Sequence, residues 1–169
     1  MGQMVDDLLN LFGVVRQKFD FATVNLNDLV KGVVANTLEA VTDRQIVWKI
    51  GDLPTLMCNY GLVRQVFDNL VSNAVKYTRP RNPAHIEIGC SPTEHEDVIF
   101  VRDDGVGFDM RLVEKLFGVF QRLHRAEEFE GTGIGLALAS RIVRKHGGRI
   151  WAEGKVDQGA TFHFTLGKR

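Results

Sequence analysis

In MVDDLLNLFGVVRQKF the apolar residues Val5, Leu8, Leu9, Phe12, Val15 and Phe19 recur at steps of three and four. That spacing predicts an amphipathic helix whose weak point is Gly13 and whose apolar face needs a partner. Asn25-Leu26-Asn27-Asp28 reads as a strand end running into a helix N-cap, and LVKGVVANTLEAV resumes the helical period from Leu29. Ile46–Ile50 and Thr55–Cys58 read as short strands separated by the turn-forming Gly51-Asp52-Leu53-Pro54. A further helix is expected from about Gly61 to Tyr77, with Val63, Val66, Phe67, Leu70 and Ala74 as its core stripe.

Beyond the proline-interrupted TRPRNP, the segments His85–Cys90 and Val98–Asp103 flank the polar PTEHED and predict a hairpin. Two glycine-rich stretches, DDGVGFD and GTGIGLA, then bracket a polar passage that opens with LFGVF. Helical periodicity returns from Ile134 to His146 and ends at Gly147-Gly148. The strands Arg149–Glu153 and Ala160–Leu166 close the chain. Helices interspersed with mostly adjacent strands imply a two-layer α+β sandwich, one face of the sheet being covered by helices.

Composition narrows the function. With 169 residues, 44% of them hydrophobic, the chain holds enough for one cored domain with a short appendage. Basic and acidic residues balance at 21 each, so no excess field exists to grip nucleic acid or an anionic membrane. Cys58 and Cys90 lack a CxxC or an adjacent His, so the expectation is reduced, buried thiols in a cytoplasmic protein. No apolar run is long enough to span a bilayer.

Candidate chemistry gathers on four stretches. In NLVSNAVKYT, Asn69, Asn73, Lys76 and Tyr77 share a stripe beside the core stripe. An Asn carbonyl oxygen there suits Mg²⁺, and Lys76 suits phosphates; alone, the two asparagines equally well bond nearby backbone. Asp103 leaves a strand just before Gly105 and Gly107, where a carboxylate can accept from an exocyclic amine such as that of adenine, or the stretch is only a tight turn. Gly131, Gly133 and Gly135 precede a helix whose N-terminal N–H groups suit an anion, or they form a flexible hinge. The passage from Gly118 to Glu130 is long for a connection and suggests a lid, anchored by Phe117 and Phe120, with Arg122, His124 and Arg125 offering positive charge. His146 is expected only to interact with a helix C-terminus.

Taken in order, NLVSNAVKYT, DDGVGF, LFGVFQRL and GTGIGLA resemble the N, G1, F and G2 boxes of the catalytic ATP-binding domain of sensor histidine kinases. That family shares a superfamily with DNA gyrase, the mismatch-repair ATPases and a heat-shock chaperone. The resemblance runs from Leu26 to Leu166, and RIVRKHGGRIWAEG and GATFHFTL are similar to kinases attached to phytochrome or other PAS-type sensors. It implies a Bergerat-type fold, a mixed five-stranded sheet backed by three helices. Residues 21–169 would be the ATP-binding domain, and residues 1–20 the end of a dimerisation and phosphoacceptor helix.

The resemblance also implies roles. Asn73 would coordinate Mg²⁺ with Asn69 lining the same site, and Lys76 and Arg122 would contact phosphates. Tyr77 would pack by the nucleoside and Asp103 would bind the adenine amine, with Gly105 and Gly107 shaping the pocket. Phe120, Gly131, Thr132, Gly133, Gly135 and Leu136 would border the nucleotide at the lid and its hinge. Asp104 departs from the Asn common at that position. The activity implied is transfer of the ATP γ-phosphoryl group to a histidine, with a response regulator downstream. None of His85, His95, His124, His146 or His163 lies in a phosphoacceptor context, so the acceptor is expected on a dimerisation domain outside this sequence. Where the gyrase-like hydrolases carry a water-activating Glu this chain has Asn69, which favours kinase over ATPase chemistry. The alternatives are a nucleotide-holding adaptor and an ATPase; the fragment is expected to be a monomer.

Overall fold

The structure is a computed structural model that describes residues 2–16, 19–119, 123 and 133–167. Its elements are α1 (Gly2–Arg16), β1 (Ala22–Asn25), α2 (Leu26–Ala40), β2 (Ile46–Ile50), β3 (Thr55–Cys58), α3 (Tyr60–Tyr77), β4 (Ala84–Pro92) and β5 (Asp97–Asp103). A short 3₁₀ turn (Met110–Lys115), α4 (Gly135–Lys145), β6 (Ile150–Lys155) and β7 (Gly159–Phe164) complete them. Local chemistry sets the helix ends. Asn25 and Asn59 cap α2 and α3, their side-chain oxygens accepting from the N–H of Asp28 (3.2 Å) and Leu62 (3.0 Å). At the other end of the chain α4 stops at Gly147, whose φ of 80° lets Gly148 N–H reach the Val143 carbonyl at 3.0 Å.

Five strands form one mixed sheet in the order β2-β4-β5-β7-β6, and β1 and β3 form a separate two-stranded sheet. Only β2 and β4 run parallel; the other neighbours in the large sheet are antiparallel. The segments on either side of Gly51–Pro54 therefore go to different sheets. Asn27 holds that turn open, its side chain accepting from Leu53 N–H at 2.8 Å and donating to the Gly51 carbonyl at 3.0 Å.

Strand alternation sorts the faces. Ile86, Ile88, Ile99, Val101, Phe162 and Phe164 are buried under the helices, while Lys49, Glu87, Arg102 and Glu153 project from the other face. The expected α3 stripe of Val63, Val66, Phe67, Leu70 and Ala74 lies entirely in this core. The first helix divides differently from its sequence pattern. Leu11 is buried and Leu8 is partly buried where α1 meets the domain at α4, whereas Val5, Leu9 and Phe12 are exposed. LLNLF carries apolar residues on more than one helical face, and the domain takes the face bearing Leu8 and Leu11.

Candidate functional site

A cleft of about 490 Å³, its open mouth included, lies between α3, the turn after β5, the start of α4 and β7. Asn73, Tyr77 and Asp103 supply its polar groups, and Phe108, Leu116, Leu136 and Phe162 are among its apolar walls. Asn73 and Tyr77 stand one turn apart on α3, so both face the cleft. Parity along β5 brings Asp103 inward with Ile99 and Val101.

Asp103 is a buried acid. Burial pushes its carboxyl up from the ordinary 3.8 to about 6; N–H donors of Gly105 and Ala160 oppose that rise, and the charge of Asp104 adds to it. Its Oδ1 accepts from Gly105 N–H at 2.8 Å. The glycines behind it are dictated by close packing. A Cβ on Gly105 would stand 2.3 Å from the Tyr77 carbonyl oxygen, and Gly107, at φ 62°, would bring one within 1.9 Å of the Lys155 carbonyl oxygen. Val106 N–H donates to the Tyr77 carbonyl at 3.0 Å, stitching this turn to the last turn of α3.

Around the cleft, Lys76 Nζ sits 4.7 Å from the centroid of the Tyr77 ring. Asn69 is placed at one remove: its amide nitrogen donates to the Gln65 carbonyl at 2.9 Å, and its oxygen faces Gly135 at the start of α4. Gly133 takes a φ of 78°, and among the described residues the N-cap Ile134 gives α4 no side-chain cap. Phe117, half-buried, meets Phe162 edge-on at 6.4 Å. Phe120, Arg122, Gly131 and Thr132 lie outside the described residues.

The sequence reading missed several contributors. Phe108 covers Gly154, where a Cβ would stand 2.5 Å from its ring. Phe162 was legible from the alternation of β7, but Arg44 was not. From the loop after α2 it donates to the Thr78 carbonyl at 3.2 Å and to the Val75 carbonyl, closing the C-terminus of α3 across a long sequence separation. His146 does more than expected. It is buried, engages the Ile142 carbonyl through Nδ1 at 2.8 Å, and accepts Asn59 N–H at Nε2 (3.1 Å), joining the end of α4 to the start of α3. Cys58 is a buried free thiol pushed up to about 11 by desolvation.

The apolar walls suit an aromatic or heterocyclic group, Asp103 offers a carboxylate to accept from an amine, and the N-terminus of α4, whose residue Leu136 lines the cleft, suits an anion. Among the described residues no group of three or more His, Cys, Asp or Glu converges to hold a metal ion. The hard amide oxygen of Asn73 fits a cation that takes the rest of its shell from phosphates and water. Residues 59–169 match the family of histidine kinase-, DNA gyrase B- and HSP90-like ATPases. The chain belongs to that family. It is 34% identical over 166 residues to cyanobacterial phytochrome A of Nostoc sp., a match covering 98% of this chain and 22% of that relative. The catalytic domain of histidine kinase ThkA is 28% identical with a TM-score of 0.74, over 88% of this chain and 96% of that domain. Full-length ShkA, solved in complex with AMPPNP, is 26% identical with a TM-score of 0.79, over 97% of this chain and 35% of that one. This family domain thus has the fold of a histidine kinase catalytic domain and spans about a fifth of the phytochrome's length. Among the described residues no helix is long and apolar enough to cross a membrane.

Proposed function

We propose that this domain binds Mg-ATP in the cleft and transfers the γ-phosphoryl group to a histidine of a separate helical dimerisation domain. The observation that supports the reading is the cleft that joins the inward Asp103, apolar walls and Asn73, with Leu136 of α4 at its border. Asp103 accepts from the adenine amine, Tyr77 and Leu136 border the nucleoside, and Asn73 contributes the protein's ligand to Mg²⁺. When bound, Mg²⁺ neutralises phosphate charge. Lys76, the α4 N-terminus and Arg122 supply positive potential along the triphosphate, with Gly131, Thr132 and Gly133 shaping the approach and Asn69 supporting Gly135.

The bond that breaks joins the γ-phosphorus to the β–γ bridging oxygen; the one that forms joins it to an imidazole nitrogen, and ADP leaves. A neutral imidazole is already nucleophilic, so the domain's work is positioning and charge neutralisation. Residues 1–20 serve as the end of the dimerisation helix, and a response regulator receives the phosphoryl group next. The test incubates the chain with Mg²⁺, γ-labelled ATP and a separately expressed helical phosphoacceptor domain. Acid-labile, base-stable label on that domain, lost with Asn73→Ala, supports the reading. ATP consumed to free phosphate with no labelled acceptor would contradict it.

A further inference from the structure

We propose that Asp104 is a positioning residue: together with His85 and Arg81 it clamps the turn after β5 from outside the cleft and so fixes the direction of Asp103. This rests on the reading of the cleft as an adenine-nucleotide site. Asp103 ends β5 facing the cleft, and Asp104, the first residue past the strand, turns away from the cleft toward the start of β4. There it meets His85 three times over. Asp104 Oδ1 accepts His85 N–H at 3.0 Å, Oδ2 lies 2.8 Å from Nδ1 of the ring, and Asp104 N–H donates to the His85 carbonyl at 3.3 Å. The side chain thereby extends the β4–β5 ladder just where the main chain must leave it to form the turn.

Arg81 closes a circuit around the same turn. Its Nε donates to the Asp104 carbonyl at 3.0 Å and its Nη2 to the Asp157 carbonyl at 2.9 Å, while Asp157 N–H donates to the Val106 carbonyl at 2.7 Å. The turn held in this way contains Gly105, whose N–H fixes Asp103 Oδ1. Arg81, His85 and Asp104 do not line the cleft themselves, so their effect on a ligand passes through Asp103. The second acid of the DDG run is thereby assigned to aiming the first.

The test compares calorimetric affinities for ATP and purine riboside triphosphate, which carries a hydrogen in place of the amine, has no N1–H, and so offers no donor to a correctly aimed carboxylate. In Asp104→Ala the preference for ATP falls about fivefold or more, with purine riboside triphosphate affinity changed by less than about twofold. His85→Ala, an exposed change that keeps the fold accessible, shifts the preference in the same direction by a smaller factor. Asp104→Asn, which retains an acceptor for His85 N–H, keeps the preference. Unchanged preference in Asp104→Ala and His85→Ala, or equal losses for both nucleotides, would overturn the positioning role. An unmodified chain that binds the two nucleotides equally would instead overturn the adenine assignment of Asp103, and this inference with it.

Discussion

Asp103 is held where its charge is unfavourable, and that cost is the mark of its task. Because its carboxyl is raised from 3.8 to about 6, the folded state keeps a proton that the unfolded chain has already released between those pH values. Stability therefore falls as pH rises through that window and stays lower above it. Asp103→Asn removes the buried charge, and at pH 7.5 its unfolding free energy in urea should exceed that of the unmodified chain by about 2 to 3 kcal/mol. The same variant should lose ATP affinity. An amine donor favours the ionised acid, so ATP binding to the unmodified chain should weaken as pH falls below about 6, a trend titration calorimetry across pH 5 to 8 would follow. At this scale the sequence was legible where chemistry is local. Asp103 followed by glycines, and Asn73 one turn before Tyr77, marked themselves; the direction of Asp104 did not, because it depends on the pairing of β5 with β4, which brings it against His85.

Elements meet through a small number of decisive side chains. His146 ties α4 to the cap of α3, and Asn59 in turn donates to the Asp20 carbonyl at 3.1 Å, so one buried knot joins both helices to the segment preceding β1. His146→Leu would leave Asn59 N–H buried without its acceptor and should cost about 1 to 3 kcal/mol in urea unfolding. Along α1, Leu11→Ala should cost about 2 to 4 kcal/mol, whereas Phe12→Ala, at a site 61% exposed, should change stability by less than about 0.5 kcal/mol. Equal effects at the two positions would show that α1 docks by another face. The periodicity predicts this helix but names one apolar face through Val5, Leu8, Leu9 and Phe12; of these four only Leu8 packs on the domain, and the buried Leu11 falls outside the predicted stripe. The burial and partners of His146 likewise followed from long-range packing, and no local spacing encoded them.

For the whole molecule, the helices, the hairpin and the closing strands were readable because each follows from a local period or a turn residue. The parallel pairing of β2 with β4, and the assignment of β3 to a second sheet, were set instead by Asn27 and by packing distant in sequence. This architecture places two widely separated stretches, the end of α3 and the turn after β5, against one cleft. The proposed function requires the cleft to take an adenine nucleotide through Asp103 and its magnesium through Asn73. Its most direct test is calorimetric titration of ATP with Mg²⁺ into the chain, repeated with EDTA, with Asn73→Ala and with Asp103→Ala. Saturable one-to-one binding is expected, weakened in the EDTA and Asn73→Ala titrations and lost in Asp103→Ala; no binding by the unmodified chain, or binding indifferent to all three changes, would rule out this role for the cleft.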